Sequence, residues 1–95
     1  MATNTSISIS ATNTEWTLVA DGAAVASISI QVDPTTPSIY VAIAVAEPEV
    51  DSDDYIVLQR ERDTSFSLNL NATDKVYVLT PSSNNSKIRA VLGSR

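Results

Sequence analysis

The sequence predicts an all-β protein, a single antiparallel β-sandwich or jelly-roll-like small barrel of about 7–8 strands. Three observations carry that expectation. Apolar and polar residues alternate with a period of two along most of the chain, which sends successive side chains to opposite faces of a strand. Turn signals recur about every 8–12 residues, the spacing of sandwiches and barrels. No segment holds a convincing helical pattern. The chain has 95 residues, and because chains divide into domains only above roughly 250–300 residues, it reads as one domain. The expected layout is an N-terminal arm or edge strand over residues 1–10 and the sandwich over 11–95.

The first strand sets Ser6, Ser8 and Ser10 against Ile7, Ile9 and Ala11. From Glu15 to Ala20, Trp16, Leu18 and Ala20 fall on one face and Glu15, Thr17 and Val19 on the other. Asp21-Gly22 reads as a turn, with glycine chosen for positive φ. Alternation resumes as Ala26, Ile28, Ile30 and Val32 against Ser27, Ser29 and Gln31, and ends at Pro34 and Pro37. Ile39 to Ala46 differs because both its faces are apolar: Ile39, Val41, Ile43 and Val45 on one, Tyr40, Ala42, Ala44 and Ala46 on the other. Alanine favours helix, but interleaved Ile, Val and Tyr and the nearby Pro48 favour a central strand whose alanine side lies under the other sheet or another subunit. The acidic loop EPEVDSDD follows, then a strand Tyr55 to Gln59 and a charged RERD turn. Thr64 to Leu70 sets Phe66, Leu68 and Leu70 against Ser65, Ser67 and Asn69; Asn71 to Asp74 turns; Lys75 to Thr80 and Ile88 to Leu92 complete the strands around a loop at 81–86.

Composition excludes more than it identifies. With no His and no Cys, imidazole or thiolate metal sites, Ser-His-Asp and Cys-His nucleophilic arrangements and disulfides are ruled out. Six basic against eleven acidic residues give a net charge of −5, which argues against nucleic acid or an anionic membrane as partner. The first ten residues lack the basic and apolar pattern of a secretory signal, and no run approaches the roughly 18 apolar residues of a membrane helix. A core this small, with no disulfide to support it, is stabilised most simply by oligomerisation.

Each candidate site has an ordinary reading beside it. Asp51, Asp53 and Asp54 are weak candidates for a hard-cation site, but they lack the glycine and the distant glutamate of a calcium loop, so a solvated acidic loop or a contact for a basic partner is the simpler reading. No metal or other cofactor is expected, and no catalytic residue: the carboxylates cluster on one loop instead of facing each other across a cleft, and an enzyme is not expected. Trp16 and Phe66 alternate in phase with leucines and read as core. Tyr40 and Tyr77, on strands apolar on both faces, are interface candidates with Ala42 and Ala44. Arg60 and Arg62 sit in a soluble turn or dock an acidic neighbour.

The run Trp16-Thr17-Leu18-Val19-Ala20, the Val25 to Gln31 alternation, Ile39-Tyr40-Val41-Ala42, the acidic Pro-containing loop, Ser65-Phe66-Ser67-Leu68 and Asp74-Lys75-Val76-Tyr77-Val78 together resemble small accessory virion proteins of tailed bacteriophages, the capsid decoration or cement proteins. The likeness runs roughly from Thr14 to Leu92 as a texture of Ser, Thr, Val and Ala without an invariant motif. It implies a structural protein of the virion, made in the host cytoplasm, that forms a homodimer or homotrimer, binds the major capsid protein or other virion proteins and strengthens the shell. A tail, fibre or baseplate module and a glycan-binding module for host attachment share the texture. The glycan binder predicts an exposed aromatic platform; the cement protein predicts interfaces of Ala, Val, Ser and Thr.

Overall fold

The computed structural model describes residues 4–32, 38–49, 55–59, 66–80 and 86–94. Eight strands follow one another: β1 (Asn4–Ala11), β2 (Thr17–Asp21), β3 (Val25–Val32), β4 (Ser38–Ala44), β5 (Ile56–Gln59), β6 (Phe66–Asn69), β7 (Lys75–Leu79) and β8 (Ser86–Ser94). No helix occurs among the described residues. Sheet A has the order β1-β8-β3-β6 and sheet B the order β2-β7-β4-β5. Every pairing is antiparallel, and β1 with β8, β2 with β7, β3 with β6 and β4 with β5 are all hydrogen-bonded neighbours. This is a jelly roll, a long hairpin rolled so that its halves become two facing sheets. The all-β sandwich expected from the alternation is therefore the fold.

Alternation places the core correctly in β1, β3 and β6. Ile28 and Ile30 are buried, Ile7, Ile9, Phe66 and Leu68 pack partly buried against them, and the intervening serines face outward. Sheet B contributes Ile39, Val41, Val76 and Val78, each 0–1% exposed. Complete burial of such a side chain is worth about 1.5–3 kcal/mol, so this layer between the sheets is the main source of stability.

Strict alternation fails in β2. The pairing with β7 shifts between Leu18 and Ala20, and a bulge of this kind gives one strand an extra residue. Val19 and Ala20 are both buried in the core while Leu18 is 47% exposed. Trp16 is buried, but not between the sheets and not with Leu18 and Ala20, as the period of two predicts.

Backbone contacts latch the two ends of the roll. At one end the Thr80 N–H donates to the Thr12 carbonyl at 3.1 Å, joining the β1–β2 crossing to the chain leaving β7. At the other the Gly22 N–H donates to the Asp74 carbonyl at 2.7 Å, joining the β2–β3 turn to the β6–β7 turn. Asp21 Oδ1 accepts from the Ala23 N–H, and Asp74 Oδ2 from the Asn71 N–H. Gly22 does turn the chain, but no described glycine has positive φ. A Cβ there would run into the Asn71 and Asp74 carbonyl oxygens, so the close approach of two turns selects the glycine.

Candidate interaction surfaces

The two sheets present very different outer faces. On sheet B, Tyr77 and Leu79 of β7 and Tyr40 and Ala42 of β4 point away from the core and form a second apolar cluster with Trp16 and Tyr55. Tyr55 stacks on Tyr40 with ring centroids 4.3 Å apart and meets Trp16 at 5.9 Å in a tilted arrangement. The chain leaving β4 folds back over this face. Trp16 Nε1 donates to the Glu49 carbonyl at 2.9 Å, and Lys75 Nζ donates to the Val45 carbonyl at 3.3 Å, pinning the segment at both ends. Trp16 is 2% exposed and Tyr77 6%.

Those facts answer what lies over the alanine side of β4: the chain's own aromatics. Of the interface candidates, Ala42 and Tyr77 are buried in this cluster, and Tyr40 and Ala44 are half-buried. Arg60 and Arg62 lie outside the described residues, as do Asp51, Asp53 and Asp54. Among the described residues no group of three acidic side chains is placed to hold a metal ion. Nor is any of their helices long and apolar enough to cross a membrane, which leaves β-barrel spans unaddressed.

Among the described residues, sheet A carries no aromatic on its outer face. Its cross-strand rows read Asn4-Gly93-Ser27-Asn69, Ser6-Val91-Ser29-Ser67 and Ser8-Arg89-Gln31. Two adjoining shallow depressions of about 580 and 200 Å³ run across these rows and share Ser29 and Val91. Ser67 Oγ donates to Ser29 Oγ at 3.2 Å. Gly93 is buried between Asn4 and Ser27 in the first of these rows, where a Cβ would meet Ser27 Oγ and Asn4 Oδ1. The face carries Lys87 and Arg89, both exposed, and no acidic residue among those described. In the sequence these serines are only the polar half of an alternation; the register of β8 between β1 and β3 assembles them into a surface.

The sheet edges differ as well. β1 and β6 border sheet A, and β2 and β5 border sheet B. Native edges are normally guarded by charges, proline, bulges or short length. β5 and β6 have four residues each, and β2 has its bulge and Asp21. β1 has eight residues, Asn-Thr-Ser-Ile-Ser-Ile-Ser-Ala, with no charge, no proline and unbroken register against β8.

No protein-family model and no curated protein matches the chain. Among solved structures it is similar to a chain of the Bacillus endospore appendages, which form a family of disulfide-linked pili, with a TM-score of 0.63 and 16% identity over 99% of this chain and 86% of that one.

Proposed function

We propose that this protein is a structural subunit whose work is to assemble, binding further subunits along the edges of its sheets. The observation that carries the reading is β1, a long edge strand with none of the devices that keep edges from pairing. Such a strand is a ready template for another chain's strand, through main-chain hydrogen bonds. In sheet A the antiparallel order also leaves β1 and β6 running oppositely. A second copy displaced sideways therefore continues the sheet with no change of sense, and a contact repeated that way builds open arrays.

The virion-surface role suggested by the sequence texture is the form we propose first: a decoration or cement protein held on a shell of capsid subunits. A filament is the second, favoured by the similarity in fold to a subunit of pili. This chain contains no cysteine, so a filament of it is held without disulfides. The packing of Trp16 and the tyrosines against the chain itself supports either form over a glycan binder, which needs an open aromatic platform.

Sedimentation velocity across a concentration series, with electron microscopy of the concentrated protein, tests the reading. Higher assemblies are expected, and Thr5→Lys, a charge at an exposed β1 position, is expected to abolish them while leaving circular dichroism and Tm unchanged. A protein that stays monomeric at millimolar concentration and does not bind capsid shells refutes it.

A further inference from the structure

We propose that β1 pairs with β1 of a second copy of this chain about a twofold axis, Ser8 opposite Ser8, so that two four-stranded sheets become one of eight strands. The inference rests on the assembly reading and names the partner of its unguarded edge.

Antiparallel order leaves β1 two candidate partners in another copy of sheet A. One is β6, reached by sideways displacement, which offers four residues; the other is β1 itself, which offers eight. A β1–β1 contact also brings the unguarded edge to both of its sides, whereas β6 is kept short. The exposure of the core agrees. Ile28, Ile30 and Ile88 of the inner strands are 0–2% exposed, while Ile7 and Ile9 of β1 are only partly buried. A strand laid along β1 takes more of their surface from water.

The apolar pattern then selects the register. Directly opposite residues of an antiparallel pair share a face, and about a twofold axis residue i meets j while j meets i. Pairing the strands end to end, Asn4 with Ala11, sets Ile7 against Ser8. That joins the core side of one copy to the serine side of the other, the flip that a one-residue slip produces. Moving one residue either way restores the match. With Ile7 opposite Ile7, Ile9 falls opposite Thr5; with Ser8 opposite Ser8, each Ile7 meets an Ile9, Ser6 meets Ser10 and Thr5 meets Ala11. The second register alone sets every isoleucine of the edge against another. The pair is closed at β1, and growth beyond it falls to the β6 edge at each outer end.

The chain has no cysteine, so single cysteines on β1 read the register directly. Opposite Cα atoms of an antiparallel pair lie about 4.5–5.5 Å apart, inside the roughly 4.4–6.8 Å range of a disulfide. Two Ser6 or two Ser10 positions stand four residues out of line in this register, about 13 Å apart. Under mild oxidation Ser8→Cys is therefore expected to form a disulfide-linked dimer at least about tenfold faster than Ser6→Cys or Ser10→Cys alone. An equimolar mixture of Ser6→Cys and Ser10→Cys is expected to cross-link as Ser8→Cys does. All three serines are exposed, and a Tm matching the wild type confirms folding. Wild-type sedimentation is expected to show a dimer at concentrations below those that give larger assemblies. Ser8→Cys cross-linking no faster than Ser6→Cys overturns the twofold pair. If Ser8→Cys joins Ser6→Cys faster than itself, Ile7 lies on the axis and the proposed register is wrong. If Ser67→Cys on β6 is instead the partner that cross-links with Ser8→Cys or Ser6→Cys, copies join head to tail, and edge assembly stands without the twofold pair. If no combination cross-links and the wild type stays monomeric, both readings fail.

Discussion

The outer faces of the two sheets come from the same alternation and reach opposite ends. On sheet B the outward positions are Tyr40, Ala42, Tyr77 and Leu79, and the chain spends Trp16, Tyr55 and the segment after β4 to cover them. On sheet A they are serines, Asn4, Asn69, Gln31, Lys87, Arg89, Gly93 and a single Val91, and no described segment crosses them. An apolar outer face has to be buried, and a small chain buries it most economically with itself. A face of small hydroxyls carries no such demand. Sheet B's exterior therefore belongs to folding, and sheet A's does not have to be covered for the chain to fold.

The largest expected effect breaks the cover of sheet B. Trp16→Ala removes the buried ring that meets Tyr55 in the second cluster and the bond that anchors Glu49, and is expected to cost about 3–5 kcal/mol in urea unfolding followed by circular dichroism, the usual range for a buried aromatic. Loss below about 1 kcal/mol means that the second cluster contributes little and that the two faces are alike. Trp16 is the only tryptophan, so wild-type fluorescence reports directly on release of the cover.

A second comparison adds bulk to each face. Ala42 is 2% exposed under the aromatic cluster, and Ala42→Leu is expected to destabilise by about 1–3 kcal/mol through overpacking. Gly93→Ala on sheet A is expected to cost less. Its new methyl meets the Ser27 hydroxyl, a single-atom arm that can rotate away, and alanine gains about 0.4–1 kcal/mol by restricting the unfolded chain. In a Ser27→Ala background Gly93→Ala should be neutral or stabilising, and a double-mutant cycle measures the coupling.

Much of this fold was legible because the core needs only a period of two. The alternating Ile, Leu and Phe of β1, β3 and β6 place themselves. β2 departs from the period of two because a bulge leaves no mark in the residue pattern: Trp16, Leu18 and Ala20 keep their spacing while the backbone gains a residue that turns Val19 and Ala20 inward. Gly22 marks its turn in the sequence, but the reason for glycine is not in the sequence, since only the fold brings the Asn71–Asp74 turn against it. The candidate surfaces were the least legible. Whether an apolar outward face such as Tyr40 and Ala42 is an interface or a private cluster depends on which distant segment lands on it. Period-two patterning carries no information about position 49 meeting position 16.

Trp16→Phe separates the two parts of the cover. Phenylalanine keeps most of the ring's packing but has no N–H to donate to the Glu49 carbonyl. Glu49 is exposed, so water can take over its freed carbonyl, and the loss should approach the net worth of one hydrogen bond, about 1 kcal/mol. If unfolding shows a loss near that of Trp16→Ala, the anchor matters more than the ring.

The smallest expected effect sharpens the comparison most. Ser29→Ala removes the acceptor of the Ser67 hydroxyl in the middle of sheet A's outer face. Both groups border an open depression, so the Ser67 hydroxyl turns to water at almost no cost, and stability should stay within about 0.5 kcal/mol of wild type. A self-contained sheet would register the change only as that small number. Assembly along the sheet edges leaves this face out of the contact, so the sedimentation coefficient should not change either. Unchanged unfolding with unchanged assembly is therefore the expected pair of results. A loss of more than about 1 kcal/mol in the monomer would mean that the hydroxyl row stabilises the fold itself, which would erase the difference between the two faces.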